Sequence, residues 1–198
     1  MCLLLESVKI KDNIIYNIEY HNIRLNNSRK ILFGCDDFID LKNYIDVDKK
    51  SNGLFKCRII CNEKVVEMTY EPYKMRKIST IKAVYDNEID YTHKTLDKEK
   101  FNKLLFKKGN CDDIVIIKNG LITDTSFSNV IFYDGNKYLT PANPLLKGTN
   151  RQKLIDEKVI FEDDIKPDDF NKFKYIQFIN AMVDIEDGMI LDIDRIFF

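Results

Sequence analysis

Residues 120–151 read GLITDTSFSNVIFYDGNKYLTPANPLLKGTNR, and the reading of this stretch decides the fold. A strand is expected over 121–133, closed by the turn Asp134-Gly135-Asn136; a short strand ending at Thr140-Pro141 follows, then a loop that opens a helix near Gly148. Asp124, Thr125, Ser126, Ser128 and Asn129 stand inside the first strand, where a core strand would alternate apolar and polar side chains. A carboxylate among small polar residues predicts the wall of a site.

Beyond this stretch, a helix is expected over 151–157, a short helix from Pro167 to 173, a strand over 175–179 and a hairpin around Glu186-Asp187-Gly188. Ahead of it lie a strand over 114–117 and a helix over about 97–108 ended by Gly109. Strand-like runs 78–84 and 89–93 flank Asp86-Asn87-Glu88, which puts Lys94 at a strand exit. The run 54–70 reads as a hairpin turning at Asn62-Glu63-Lys64, preceded by a charged loop from Val47 to Gly53. The chain opens with strands over 3–11 and 14–18 around Lys11-Asp12-Asn13, a helix over 19–33 stopped by Gly34, and a second helix over 36–45 opened by two acidic residues. On the 19–33 helix, His21, Arg24 and Ser28 share a face at i, i+3 and i+7, while Leu25 and Leu32 are expected to pack inward. This order of elements is that of an α/β chain of the α+β type. The boundary is placed to give domains 1–90 and 91–198, although no linker composition marks it.

At 198 residues, the chain is long enough to bury a core without staples. With 31 basic against 32 acidic residues, its net charge of -1 gives no electrostatic footprint for nucleic acid or an anionic membrane, so a small-molecule partner is expected. The opening Met-Cys-Leu-Leu-Leu-Glu lacks the basic region of a signal peptide, and no apolar run reaches membrane-spanning length; a cytoplasmic location is the expectation. The five cysteines lack metal-ligand spacing and read as buried free thiols of a reducing compartment. Only His21 and His93 could add imidazole ligands, and neither has carboxylate or thiolate neighbours at metal spacing, so no metal is expected and each histidine reads as a hydrogen-bonded structural residue. Glycine-rich nucleotide motifs and a Gly-x-Ser-x-Gly elbow are absent.

What the chain does carry resembles the class IV aminotransferases, the pyridoxal 5'-phosphate (PLP) enzymes of fold type IV, over almost its whole length. Leu5-Glu6-Ser7 followed by His21-Asn22-Ile23-Arg24-Leu25-Asn26-Asn27-Ser28 is similar to that family's first motif. Tyr91-Thr92-His93-Lys94 is similar to its lysine segment. Gly120-Leu121-Ile122-Thr123-Asp124, then Asn129-Val130-Ile131-Phe132, resembles its Gly-x-x-Thr-Glu and Asn-x-x-Phe stretch, and Thr140-Pro141 and Leu146-Lys147-Gly148-Thr149-Asn150-Arg151 follow at the family's distance.

The resemblance implies a two-domain fold type IV enzyme, with a small N-terminal α/β domain and a barrel-like C-terminal α/β domain, a cleft for PLP between them, and a homodimer. It assigns the cofactor's Schiff base and the proton transfers at substrate carbon to Lys94. Asp124 would pair with the pyridine nitrogen, one methylene shorter than the family's usual Glu. Arg24 and the backbone amides of Thr149 and Asn150 would hold the phosphate, and Ala181 and Met182, after Asn180, would border the substrate carboxylate of an amino substrate. Positions 98 and 99 are Lys and Glu, where branched-chain and D-amino acid aminotransferases tend to carry a tyrosine; aminodeoxychorismate lyases also lack it. The implied reaction is therefore release of 4-aminobenzoate and pyruvate from 4-amino-4-deoxychorismate. An amino acid aminotransferase using the same residues is the alternative, and a relative that binds PLP without turnover is the third. That last reading is motivated by Asp124, Asn150, Met182 and an N-terminus that begins nearly at the first motif.

Each residue also has an ordinary structural reading. Lys94 would be a solvated surface lysine, Arg24 a salt-bridged or exposed helix residue, Asp124 the cap of a bulge or turn, and Ser126, Ser128 and Asn129 the satisfied polar groups of a sheet edge.

Overall fold

The computed structural model describes residues 2–47 and 52–198, so part of the loop expected from Val47 to Gly53 lies outside the described residues. The chain divides into a first unit of Met1–Met75 and His93–Asp97 and a second of Arg76–Thr92 and Lys98–Phe198.

The first unit is built on strand β1 (Leu4–Lys11), whose side chains alternate so that Leu4, Glu6, Val8 and Ile10 face inward. Asp12 and Asn13 take positive φ values of 49° and 63° and turn the chain tightly into β2 (Ile14–Ile15). Among the described residues, the sheet runs in the order β2, β1, β3 (Leu54–Cys61) and β4 (Val65–Pro72), all antiparallel. Helix α1 (Ile18–Phe33) packs on it, starting after Asn17 in the left-handed conformation rather than after a longer second strand. Gly34, at φ 71°, closes the helix by donating its N–H to the carbonyl of Lys30. Leu25 is buried as expected, but Leu32 is exposed.

The helix expected over 36–45 is reduced to a 3-10 turn at Leu41–Asn43. Side chains of α1 take the backbone groups that a helix would have used. Asn26 accepts from Ile39 N–H at 2.9 Å and donates to its carbonyl at 2.8 Å, Asn22 accepts from Leu41 N–H at 2.9 Å, and Arg29 donates to the Asp37 carbonyl at 2.9 Å. Tertiary hydrogen bonds override a local helix signal here.

In the second unit, β5 (Ile81–Tyr85) pairs in parallel with β6 (Asp113–Lys118), which turns through Asn119 and Gly120, at φ 52° and 78°, into β7 (Leu121–Thr125). The strand expected over 121–133 is two strands, β7 and β8 (Asn129–Tyr133). Thr125 N–H donates to the Ser128 carbonyl at 2.9 Å, and the Thr125 hydroxyl accepts from Ser128 N–H at 3.0 Å. The small polar run therefore makes a turn, because its hydroxyls compete with ladder bonding. β9 (Tyr138–Pro141) follows β8, helix α3 (Thr149–Asp156) leads to β10 (Ile160–Asp163), and β11 (Tyr175–Ile179) lies antiparallel along β8 and pairs with β12 (Ile190–Asp192). The C-terminal strand β13 (Ile196–Phe197) runs parallel to β5. Helix α2 (Glu99–Leu105) covers β6 and ends in a 3-10 turn before Gly109.

The strand expected over 89–93 is absent. Asp86 accepts from Glu88 and Ile89 N–H at 3.0 and 2.7 Å, and Asp90 accepts from Thr92 N–H at 3.0 Å, so two aspartate turns replace ladder bonds. Aspartate also delays β5, where Asp112 accepts from Ser79 and Thr80 N–H at 2.7 and 3.1 Å. The expected boundary after residue 90 is a single cut. The contacts instead join 76–92 to the second unit through β5 and return 93–97 to the first, where Leu5 N–H donates to the Lys94 carbonyl and Leu96 N–H to that of Leu3, each at 2.8 Å. No helix among the described residues is long and apolar enough to cross a membrane.

Candidate functional site

In the first unit, the alternation of β1 puts a carboxylate, Glu6, at a core-facing position between Leu4 and Val8. Such a group requires charged partners, and the helical spacing of α1 supplies them. Arg24 donates through Nε to Glu6 Oε1 at 2.9 Å and through Nη2 to Oε2 at 2.6 Å, a bidentate fork. His21 Nδ1 lies 2.6 Å from the same Oε2. Burial alone would raise the Glu6 pKa, but Arg24 and His21 outweigh it and hold the carboxyl at about 2. His21 is also shifted down, below the ordinary imidazole value, chiefly by burial and against the pull of Glu6. The neutral ring then serves as an Nδ1–H donor.

Lys94 is half-buried in the segment strapped to the start of β1, where Thr95 bridges Leu4. Its charge reaches His21 and adds to the lowering of that pKa. The neighbouring His93 Nδ1 meets the Ser28 hydroxyl at 3.0 Å. Lys94, Arg24, His21 and Ser28 are thus brought into one unit by β1 and one face of α1, although Lys94 follows an aspartate turn rather than a strand. Arg24 is salt-bridged, as its ordinary structural reading expects. Glu6, quoted from the sequence as part of the first motif but given no role there, is the partner that fixes Arg24 and His21; its inward position in the alternation of β1 was the available signal.

In the second unit, Asp124 lies opposite Asn129 where β7 and β8 meet. Asp124 is only 5% exposed, and burial pushes its pKa up to about 6 against several hydrogen bonds. Asn129 Nδ2 donates to Asp124 Oδ1 and to the Leu146 carbonyl, both at 2.8 Å, while Leu146 N–H donates to Asp124 Oδ2 at 2.9 Å. A Cβ on Gly148 would collide with Asn129 Oδ1, so only glycine fits against this clamp. The carboxylate, the 146–148 loop and the start of α3 are therefore held as one piece. Asn129 is thereby more than a polar group at a sheet edge.

Helix α3 begins at Thr149, and its first intrahelical bond runs from Gln152 N–H to the Gly148 carbonyl. The amides of Thr149 and Asn150 precede that bond, at the positive end of the helix dipole. The Asn150 side chain donates to the Val183 carbonyl at 3.1 Å and to Asp184 Oδ1 at 3.4 Å, while its own Oδ1 is buried with no partner among the described residues. Arg151 is fully committed to structure, bonding the Pro141 carbonyl and Glu162 at 2.7 Å each. The 180–183 turn is tied by Asn180 Oδ1, which accepts from Met182 and Val183 N–H at 2.8 and 3.1 Å. Met182 points into the core and is 3% exposed, so Ala181 and the backbone are what this turn offers outward. Asp124, Thr149, Asn150, Ala181 and Met182 all belong to the second unit.

Each unit by itself carries groups that suit PLP. The second has a buried carboxylate and first-turn amides, which match a protonated pyridine and a phosphate; the first has an arginine and a half-buried lysine, which match a phosphate and an aldehyde.

The family model for amino-transferase class IV matches residues 3–186. An uncharacterized protein from Haemophilus influenzae (strain Rd) is 36% identical over 182 residues, covering 90% of this chain and 97% of that protein. The crystal structure of a Haemophilus somnus 129PT protein, provisionally named 4-amino-4-deoxychorismate lyase, is 34% identical with a TM-score of 0.86 and covers 92% of this chain and 97% of that one. A hypothetical aminotransferase from Mycobacterium tuberculosis, solved with PLP bound, shares the fold at 16% identity and a TM-score of 0.73, over 91% of this chain and 78% of that one.

Proposed function

Since this chain belongs to the class IV aminotransferase family, we propose that it is a PLP-dependent enzyme that releases 4-aminobenzoate and pyruvate from 4-amino-4-deoxychorismate. The observation that carries the PLP reading is the buried Asp124, clamped by Asn129 and Leu146 N–H at the loop that opens α3. Similarity to the H. somnus protein supports the lyase branch.

In this reading, bound PLP supplies an electron sink for the pair left when the substrate loses a proton. The Asp124 carboxylate holds the proton on the pyridine nitrogen. Its pKa of about 6 leaves it mainly ionised at neutral pH, and its two bonds from Asn129 and Leu146 fix its direction. Arg24 and the amides of Thr149 and Asn150 hold the phosphate, with Glu6 fixing the orientation of the guanidinium through Nε and Nη2. Lys94 Nζ tethers the cofactor, takes the proton from the substrate carbon that bears the amino group, and returns one to the three-carbon fragment that leaves as pyruvate. Ala181 borders the substrate. A homodimer belongs to the same reading and is tested by sedimentation velocity.

The decisive assay supplies 4-amino-4-deoxychorismate and measures pyruvate and 4-aminobenzoate together, beside Lys94→Ala and beside a 2-oxo acid as amino acceptor. Equal release of both products, lost in Lys94→Ala, is expected. Amino transfer to the 2-oxo acid without pyruvate would replace the lyase with an aminotransferase. Borohydride fixation of PLP at Lys94 with turnover of neither substrate would leave a binding protein.

A further inference from the structure

We infer that Ser28 and His93 are positioning residues for Lys94, a clamp between α1 and the segment 93–97. His93 Nδ1 and the Ser28 hydroxyl lie 3.0 Å apart. Thr92 and Lys98, on either side of this segment, belong to the second unit, so 93–97 stays in the first through the bonds it makes there.

Lys94 stands at the apex of a three-residue turn, closed by Thr95 N–H donating to the His93 carbonyl at 2.9 Å. The C-terminal arm of that turn is fastened to β1. Leu5 N–H donates to the Lys94 carbonyl and Leu96 N–H to that of Leu3, each at 2.8 Å, and Thr95 bridges Leu4. The N-terminal arm is fastened to α1 through the His93 side chain. A turn held by one arm can pivot about it. The His93–Ser28 bond adds the second anchor, and so fixes the direction in which the Lys94 side chain leaves the backbone.

Ser28 is placed for this purpose. It lies one helical turn beyond Arg24 on the same face of α1 and is 5% exposed. Serine is a poorer helix former than alanine, and a buried hydroxyl is costly unless it is bonded, so the helix itself gives no reason for a serine here. Its partner does. The charge of Lys94 is felt at His21, two turns earlier on that face, which agrees with an amine directed along α1. One helix face thus carries the arginine assigned to the phosphate and the hydroxyl that orients the lysine assigned to the aldehyde. The use made of Lys94 rests on the PLP reading; the clamp does not. Capture of an aldehyde and proton transfer at carbon both depend on placement, and a shift of about 1 Å can cost on the order of 100-fold in rate.

The test compares Ser28→Ala, His93→Leu and His93→Asn with the parent, each as the full chain. The asparagine amide places an oxygen or a nitrogen near the position of Nδ1, so the bond to Ser28 survives whichever group donates. Three quantities are measured: the rate at which PLP becomes fixable by borohydride at Lys94, the affinity for pyridoxine 5'-phosphate, and amide hydrogen exchange at Leu5 and Leu96. Pyridoxine 5'-phosphate has an alcohol in place of the aldehyde, so its binding does not use the lysine bond. In Ser28→Ala and His93→Leu, fixation should slow about tenfold and exchange at Leu5 and Leu96 should quicken about tenfold. Pyridoxine 5'-phosphate affinity should stay within about twofold and the melting midpoint within about 3 °C. His93→Asn should bring fixation back to within about threefold of the parent. Fixation at the parent's rate in both Ser28→Ala and His93→Leu, or slowed fixation that asparagine does not restore, would overturn the clamp. If the parent itself fixes no PLP at Lys94, the PLP reading falls and amide exchange alone decides. Faster exchange at Leu5 and Leu96 in Ser28→Ala then supports the clamp, and unchanged exchange overturns it.

Discussion

The side-chain oxygen of Asn129 occupies the space that a Cβ on residue 148 would need, and its amide nitrogen is bonded at the same time to Asp124 and to the Leu146 carbonyl. Gly148 and Asn129 therefore constrain each other. In Gly148→Ala, the Asn129 side chain must leave its place and break both bonds, one of them to a buried carboxylate. A loss of about 2–4 kcal/mol is expected by thermal or urea unfolding. The pair Gly148→Ala with Asn129→Gly should be less destabilised than the sum of its single changes, since the collision is then gone. Additive losses would show that the loop has a second way to accommodate the methyl.

Acid should weaken the first unit through Glu6 and His21. Glu6 has its folded pKa lowered from 4.5 to about 2, so its contribution is full above 4.5 and fades as pH falls towards 2. His21 is also lowered, from 6.5, so its protonation opposes folding as pH falls below that value. Both slopes have the same sign. Stability measured by urea unfolding should fall from about pH 6.5 downward in two overlapping phases. Glu6→Gln should lower stability at pH 7 by about 3–5 kcal/mol, because it leaves Arg24 without its countercharge, and should flatten the profile below pH 4.5. A profile of unchanged slope in the variant would assign the acid sensitivity elsewhere.

The thiols should divide by burial rather than behave as one class. The expectation of uniformly buried thiols is corrected by the structure: Cys57 and Cys61 are buried, Cys35 and Cys111 half-buried and Cys2 exposed. Burial pushes Cys57 and Cys61 up to about 12, which leaves almost no thiolate at neutral pH. With iodoacetamide at pH 8, peptide mapping should show Cys2 modified first and Cys57 and Cys61 unmodified until denaturant is added. Early modification of Cys57 would mean that β3 opens far below the global unfolding limit.

What could be read from the residues follows how local each determinant is. The α1 face that carries His21, Arg24 and Ser28 needs only helical spacing, and the Gly34 stop and the Asp134-Gly135-Asn136 turn need only local chemistry. Where the reading failed, a polar side chain had two possible uses. Thr125 and Ser128 bond each other's backbone and end a strand, Asp86 and Asp90 replace the ladder of another, and Asn22 and Asn26 capture the segment expected to be the second helix. The parallel pairing of β13 with β5 joins residues over a hundred positions apart and leaves no local trace. In the candidate site, Asp124 stood out as a carboxylate among small polar residues of an expected strand, yet its dependence on Asn129 and Gly148 came from the turn of the chain between them.

Asn150 provides the sharpest separation of stability from function. Its amide nitrogen bonds Val183 and Asp184, but the Val183 carbonyl also accepts from Asn180 N–H at 3.0 Å, so it keeps a partner when Asn150 is truncated. Asn150 Oδ1, buried without a partner among the described residues, is a standing penalty that truncation removes. The two effects oppose each other, and Asn150→Ala should change stability by less than about 1 kcal/mol. The backbone amide at 150 remains, so a phosphate held by it should be retained. What is lost is the link between α3 and the 180–184 segment. The expected result is a KM for the amino substrate raised about five- to tenfold, with PLP affinity and kcat within about twofold of the parent. A fall in PLP affinity with KM unchanged would instead put the Asn150 side chain on the cofactor.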